Sequence, residues 1–553
     1  MLNREIAWHL QTISVLLELN DDDDDKITAF SNVARELKRL SRPVPAMLED
    51  GSIEHVGGIN SDILEVIQEL IAKGQSSLLQ ELRTQISPAL VEVGSIPGLG
   101  AKTARKLVQQ LGIENIVELE AAAESGRIRQ IEGFGQQKEE LVRSGIELLR
   151  SRGSLTPIGM SRPMADALAR IIRQSEWVRD ARIAGSVRRW QELNADIDIV
   201  AATEDVDYLV SLLNQLSGVN VAEVRKDRLI LRTSLDLAVR VWLVQPSEFA
   251  VSLLNYTGSR EHVEALASRG EIKGSSEEEI YANLGLHFIP PELRQPHFPL
   301  DSFSLDTVPP RLVTLEDIRG DLHLHTHWSD GVEDIDTLAQ RAQRRGYEYI
   351  AITDHSSSLG SSRGLPSQKL ERQLSEIRAR QHIYPVRVLA GIEVDIRADG
   401  TLAMPDKVLS QLDWVVASIH GSFHLDEEKM TQRLLKAVSH PLVHAIGHPS
   451  GRLLQRRPGY DVDWDRVFEA AARHNVAMEV NSSPDRLDLR DTMVRKACSM
   501  GVKIVVNTDA HSGTELKNIQ YGVAVARRGG AGVKDVINTM SLSQLQRFIK
   551  KPG

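Results

Sequence analysis

The chain has a single cysteine, Cys498, in 553 residues, which excludes a disulfide framework and suits a reducing cytoplasm. It has no apolar run near the roughly 20 residues that a membrane-spanning helix needs. Its first stretch, "MLNREIAWHLQTISVLLEL", carries charges at helical spacing and reads as an amphipathic helix, not a signal peptide. Gly and Pro are not in excess, and 41% apolar with 26% charged residues is the composition of a soluble globular protein. Net positive charge is also missing. A formal charge of −10 argues against indiscriminate nucleic-acid binding, so any DNA docking falls to local basic patches and backbone amides. The length suits several domains at roughly 150 residues each.

Residues 1 to about 150 show apolar residues recurring at three and four, as in "DILEVIQELIA" and "TARKLVQQLGI", the pattern of helices joined by short loops. The acidic run Asp21 to Asp25 reads as a solvated loop or helix N-terminus. From about 180 to 245 the pattern turns to strands: "ARIAGS", "ADIDIVAAT", "DRLILRTS" and "LDLAVRVWLV". Pro290 to Val313, rich in Pro, Ser and Asp, reads as a linker. From 320 onward short apolar strands alternate with helices, which predicts a parallel sheet or barrel.

Histidine is the informative residue: most of the 17 lie after residue 320. The C-terminal strand ends read "DLHLHTHWSDG", "TDH", "GIE", "SIH", "GHP" and "TDAH", and chemistry gathers at such ends in barrels of this kind. They hold His323, His325, Asp330, His355, Glu393, His420, His448, Asp509 and His511. One histidine at a strand end is commonly a core or capping residue; six successive strand ends are not explained that way. Imidazoles and carboxylates are ligands for zinc, manganese and iron, and nine of them fill two or three metal sites. Arg452, after "GHPSG", reads equally well as a substrate-phosphate contact and as a surface charge. His327 and Asp354 adjoin ligands and are candidate supporting partners; His424 and His444 read as structural.

These motifs resemble the PHP (polymerase and histidinol phosphatase) superfamily of metal-dependent phosphoesterases from Asp321 to about Phe548. The resemblance implies a distorted (β/α)7 barrel and a trinuclear centre. His323, His325, Glu393 and Asp509 would hold one ion, Glu393 bridging to a second bound by His420 and His448, with Asp330, His355 and His511 on the third. Manganese or zinc suits this donor set.

Upstream, "SIPGLGAKTARKL" and "QIEGFGQQKEELV" each place a Gly-x-Gly turn before a helix. Such a hairpin turns backbone N–H groups and a helix N-terminus toward one phosphate without reading sequence. Gly98, Gly100, Lys102, Gly133 and Gly135 are therefore candidate DNA contacts. In "GSVRRWQELNADIDIV" a Gly-Ser turn, two arginines and an Asp-x-Asp strand form a nucleotidyltransferase signature. Alternation puts Asp196 and Asp198 on one face, where they can share magnesium or manganese; Ser186 and Arg189 can hold a triphosphate.

With "NYTGSREH", the whole chain resembles the bacterial family X DNA polymerases that carry a C-terminal PHP domain. The fold expected is multidomain α/β, in the family's order. Residues 1–85 would form an N-terminal helical DNA-binding domain and 86–150 fingers with helix-hairpin-helix motifs. Residues 151–247 would form an α+β nucleotidyltransferase palm, 248–298 a shortened thumb, 299–319 a linker and 320–553 the PHP domain. The implied activities are gap-filling synthesis by the palm and 3'–5' exonuclease or abasic-site and 3'-end trimming by the PHP domain. The implied partners are gapped, recessed or abasic DNA and a dNTP; a cytoplasmic monomer is expected.

The sequence departs from that family at one decisive place. Counting back from Thr257–Ser259, the third catalytic aspartate falls on Arg240. Asp236 is four residues away, roughly 13 Å along an extended strand, and aligns with the turn before it. Arg240 would place a fixed cation beside Asp196 and Asp198. Val263, Trp190, Ala195, Asp62 and the short segment after Arg269 depart too. The reading is therefore an active phosphoesterase on DNA ends, with polymerase activity weak or lost. The alternatives are a working gap-filling polymerase, a small-molecule phosphatase of the histidinol-phosphatase type, and a non-enzymatic DNA scaffold.

Overall fold

The computed structural model describes residues 2–40, 42–96, 99–152, 155–216, 218–233, 235, 237–309, 311–357 and 364–550. The chain divides into two compact units, Met1–Leu284 with Gln455–Arg457, and Gly285–Leu454 with Pro458–Gly553. The unit boundary falls after Leu284, inside the stretch expected as a thumb. Among the described residues no helix is long and apolar enough to cross a membrane.

The first unit begins with helices whose apolar stripes bury one another. Ile6, Leu10, Ile13 and Leu17 from helix Asn3–Leu19 meet Phe30, Val33 and Leu37 from helix Asp24–Arg39. The acidic run ends the turn between them. Asp23 caps the second helix by accepting from Asp25 N at 2.8 Å, and Asp24 and Asp25 fall in its first turn, where the helix dipole favours negative charge. Each Gly-x-Gly turn is followed by a helix, Ala101–Leu111 and Gln136–Arg152.

A five-stranded sheet follows, built from β1 (Val178–Ala184), β2 (Asp196–Thr203), β3 (Val219–Val224), β4 (Arg228–Thr233) and β5 (Ala238–Val244) in the order β1-β2-β5-β4-β3. β2 and β5 run parallel; the other neighbours are antiparallel. Helix Ile158–Arg173 covers β1 and β2, and helix Phe249–Thr257 packs on β2, so β2 is buried along nearly its whole length. The Gly-Ser turn admits no larger residue. Gly185 has φ +61°, and a Cβ there would lie 2.4 Å from Asp198 Oδ2.

The second unit carries seven parallel strands in sequential order: β6 (Gly320–Leu324), β7 (Tyr349–Ile352), β8 (Arg387–Asp395), β9 (Trp414–Ser418), β10 (Ala445–Ile446), β11 (Ala477–Asn481) and β12 (Ile504–Asn507). A parallel bridge between Leu324 and Ala510 brings the last strand back to the first, giving a nearly closed barrel. Amphipathic helices such as Ile335–Arg344 and Trp464–His474 form the returns. Buried on both faces, the strands read as continuous apolar runs. Leu322, Leu389, Trp414 and Val416 from three of these strands join Leu545 of the C-terminal helix in one core.

Candidate metal centre and palm site

The polar residues that end each barrel strand converge. Glu393, at the end of β8 and 1% exposed, is their hub. Its Oε1 lies 3.5 Å from His323 Nε2, 3.2 Å from His420 Nε2 and 3.0 Å from His448 Nε2. Its Oε2 lies 3.7 Å from His325 Nε2 and 2.7 Å from His355 Nδ1. Asp509 Oδ1 approaches His325 Nε2 at 3.0 Å and His323 Nε2 at 3.7 Å. Asp330 reaches His511 Nε2 at 3.3 Å and His355 Nε2 at 3.6 Å. All nine predicted residues thus stand in one basin.

Three donor sets in the basin are tight enough to share ions: His323, His325 and Glu393; His355, Glu393 and His420; and His325, Asp330, His355 and His511. They overlap the three sets implied by the resemblance but share His325 and His355 more widely. The fit to metal is chemical as well as geometric. His323 Nε2 and both ring nitrogens of His325 are buried without a hydrogen bond, a costly state unless a cation takes their lone pairs. His448 and Asp509 are held at φ +28° and +53°, backbone strain of the kind that gathers at functional sites.

The charges are matched pairwise. Burial opposes a charge on His420, yet Glu393 and the hydrogen bond to Asp395 push it up to about 10. Burial likewise opposes charge on His511, but its bond to Asp330 and the nearby Asp509 push it up to about 9. Glu393 is buried, which favours its neutral form, but His420, His355 and His323 hold it well below the usual carboxylate range.

Several residues that the sequence does not single out hold this basin together. Glu479, 0% exposed on β11, accepts from His323 Nδ1 at 2.7 Å. Asp395, two residues after Glu393 on the same face of β8, accepts from His420 Nδ1 at 2.6 Å. Arg486 stands 3.9 Å from Asp509 Oδ2. The available signal is an acid inside an otherwise apolar strand, as in "VAMEVN". Asp354, by contrast, bonds Thr326 N and Oγ1 and Gln373, and so braces the loop carrying Asp330 without touching a ligand's ring. His327 is exposed. Arg452 donates to the Leu487 carbonyl. His444 accepts from Val415 N at 3.0 Å, a structural part, and His424 lies on the loop after β9 and belongs to none of the donor sets.

In the palm, β2 and β5 pair with Asp198 opposite Arg240. Arg240 donates to both Asp198 oxygens, at 2.8 and 3.1 Å, and its Nη2 lies 2.7 Å from Asp196 Oδ2. Trp242 Nε1 adds a third hydrogen bond to Asp198 at 2.9 Å, with Tyr256 stacked on the indole at 4.0 Å. Ser186 donates to Asn194 at 2.7 Å and Arg189 to the Thr257 carbonyl at 2.6 Å; both bonds are internal to the protein. Trp190 has φ +55°, the left-handed region that glycine fills without strain. Asp236 lies outside the described residues.

In the hairpins, Gly100 precedes helix Ala101–Leu111, a Cβ at Gly100 or Gly135 would meet nothing within 4 Å, and Lys102 is exposed. Gly133 has φ +81°. Lys106 and Lys138 flank the Phe134 ring and donate to the Glu132 and Gly133 carbonyls. Gly98 lies outside the described residues.

A strand-end cluster of histidines and carboxylates in a seven-stranded parallel barrel, joined in one chain to a nucleotidyltransferase-like sheet and tandem hairpins, defines a polymerase-and-phosphoesterase class of protein. Comparisons agree. Residues 321–483 match the PHP domain family and residues 90–147 the SAM-like helix-hairpin-helix tandem. The chain is 35% identical to the "DNA polymerase/3'-5' exonuclease PolX" of Bacillus subtilis, over 100% of both proteins. It is 28% identical to a probable phosphatase of Photobacterium profundum, over 41% of this chain and 93% of that protein. The same identity, over 42% and 94%, relates it to a probable phosphatase of a Thermoanaerobacter species. The chain belongs to the bacterial family X DNA polymerases with a C-terminal PHP domain.

Proposed function

We propose that the barrel hydrolyses phosphodiester bonds at DNA 3' ends or abasic sites with two to three divalent ions, as one activity of a cytoplasmic DNA-repair protein whose polymerase function is weak or lost. The observation that carries the first part is the convergence of nine donors in one basin, five of them histidines around Glu393, with imidazole nitrogens buried and unbonded. When bound there, manganese or zinc would supply a water of lowered pKa and positive charge for the phosphate oxygens and the leaving alkoxide. His323, His325, Glu393 and Asp509 would hold the innermost ion, His420 and His448 with Glu393 the next, and Asp330, His355 and His511 the one at the rim. Arg486, beside Asp509, offers a guanidinium to a substrate phosphate. Arg452, turned to the Leu487 carbonyl, braces that loop instead. The tandem hairpins dock the DNA backbone.

Arg240 carries the second part. Its guanidinium occupies the carboxylates that magnesium or manganese needs. The runner-up is a working gap-filling polymerase, favoured by the whole-length likeness to a protein named as one. Nuclease and primer-extension assays on gapped DNA, comparing wild type with His323→Ala and Asp198→Ala, decide. Nuclease activity lost with His323→Ala, and no extension by wild type, are expected. Wild-type extension abolished by Asp198→Ala would overturn the polymerase part; nuclease activity that survives His323→Ala would overturn the phosphoesterase part. Turnover of histidinol phosphate without cleavage of a 3'-recessed duplex would favour a small-molecule phosphatase.

A further inference from the structure

We propose that Glu479 is the positioning residue that sets the first two metal positions together, an inference that rests on the metal-binding reading of the barrel. Four donors meet on this one buried carboxylate. Oε1 accepts from His323 Nδ1 at 2.7 Å and from Asn507 Nδ2 at 3.0 Å. Oε2 accepts from the backbone N–H of His448 at 2.7 Å and from Asn481 Nδ2 at 3.3 Å. Asn481 also donates to Asp509 Oδ2 at 3.0 Å. Glu479 therefore touches a side chain of the first donor set, the backbone of a member of the second, and, through Asn481, the aspartate of the first.

Each contact has a definite consequence. A hydrogen bond from Nδ1 obliges the His323 ring to offer Nε2, the nitrogen facing Glu393 and Asp509, as its metal-binding atom. The bond to His448 N holds a residue at φ +28°, a conformation that a non-glycine residue keeps only when its surroundings enforce it. That conformation brings His448 Nε2 to Glu393 Oε1. Asn507 is fixed in turn. Its Oδ1 accepts from Leu322 N at 3.0 Å and from Asn538 Nδ2 at 3.3 Å, so its amide is committed to donating toward Glu479.

The all-donor surroundings give a signature that bulk and burial do not. An amide in place of the carboxylate has one acceptor end and one donor end. With its NH2 toward His323 it faces Nδ1–H and Asn507, and relief comes by moving the ring proton to Nε2, which blocks the first ion. With its NH2 toward His448 it faces the backbone N–H and releases the strained residue, which moves the second ring away. Either orientation damages a metal position. A methyl group leaves room for water, which accepts from these donors.

The isosteric Glu479→Gln is thus expected to bind metal more weakly than the truncated Glu479→Ala. The experiment measures Mn2+ affinity and stoichiometry of the full metal-free chain by chelator competition, on protein shown to be folded by circular dichroism. Glu479→Gln should lose roughly 10- to 100-fold in affinity at two positions and Glu479→Ala less, with one ion retained at the rim set of Asp330, His355 and His511. Wild-type affinity in both variants, equal losses in the two, or loss of all three ions alike overturns the proposal. If Glu479→Gln does not fold, Glu479→Ala decides: weakened binding at the first two positions with the rim ion kept is expected, and wild-type affinity at those positions overturns the proposal. A wild-type chain that binds no Mn2+ or Zn2+ overturns the metal reading itself, a different result.

Discussion

Arg240 and Asp198 face each other across paired parallel strands, and the guanidinium grips both oxygens of the carboxylate at 2.8 and 3.1 Å. The same guanidinium reaches Asp196 at 2.7 Å. Burial and the charge of Asp198 push the Asp196 carboxyl up, and Arg240 offsets them only in part. One guanidinium thus occupies oxygens of both acids, at the place where a divalent cation would sit.

Arg240→Asp should reverse this. Three carboxylates on two adjacent strands make an oxygen-rich site for magnesium or manganese. The variant is expected to gain Mn2+ binding in the palm and measurable template-directed extension, and Asp198→Ala in the same background should remove both. An Arg240→Asp chain that binds no additional Mn2+ sinks this account of the palm.

Metal loading of the barrel should depend steeply on pH. His420 and His511, pushed up to about 10 and about 9, carry protons at neutral pH in the metal-free chain, and a ligand nitrogen must lose its proton to bind metal. The sign follows: apparent affinity rises with pH until those values are passed, and binding releases protons. Mn2+ titrations at pH 6.5 and 8.5 should differ by about tenfold or more per pH unit. A flat profile would contradict the ligand assignment of both histidines.

The first unit should be acid-labile through His9. Burial, with Arg83 nearby, lowers this imidazole to about 4, and neither ring nitrogen has a hydrogen bond. The unfolded chain takes up a proton near 6.5 that the folded unit refuses until about 4. Stability is therefore full above 6.5 and declines as pH falls from there to about 4, by roughly 3 kcal/mol in all. Denaturant unfolding at pH 7 and pH 5 should show wild type losing roughly 2 kcal/mol more than His9→Leu. Parallel losses in the two proteins would count against it.

The sequence and the structure agree most where chemistry repeats. Histidines and acids at successive strand ends announce the barrel's basin, because each βα-loop delivers its residue to the same face. The Arg240 reading is equally available, since it comes from counting back along the chain from Thr257–Ser259, and β2 and β5 pair that residue opposite Asp198. Glu479 is not. It sits inside an apolar strand, and only the barrel's closure brings β11 against β12 and toward β6, where Asn507 and His323 give it a role. Arg452 and Arg486 show the same limit. Both follow strand-end motifs, but loop geometry turns one to a backbone carbonyl and leaves the other beside Asp509. Ser186 and Arg189 carry a recognisable signature, and their engagement with Asn194 and Thr257 is a matter of side-chain direction that spacing does not encode.

DNA docking by an acidic protein should rest on few contacts, and the hairpins offer the test. Lys102 stands exposed in the first turn of helix Ala101–Leu111, and a Cβ at Gly100 would meet open space, so a phosphate can approach the backbone there. Removing one phosphate-neutralising charge lowers affinity for every sequence alike and reduces the salt slope by about 1. Lys102→Ala should therefore weaken binding of gapped duplexes of unrelated sequence by the same factor and flatten the plot of log affinity against log salt by that amount. Gly100→Val should weaken binding with the slope unchanged, because it blocks close approach and leaves the charge in place. A Lys102→Ala chain with an unaltered salt slope would place the DNA elsewhere on the protein.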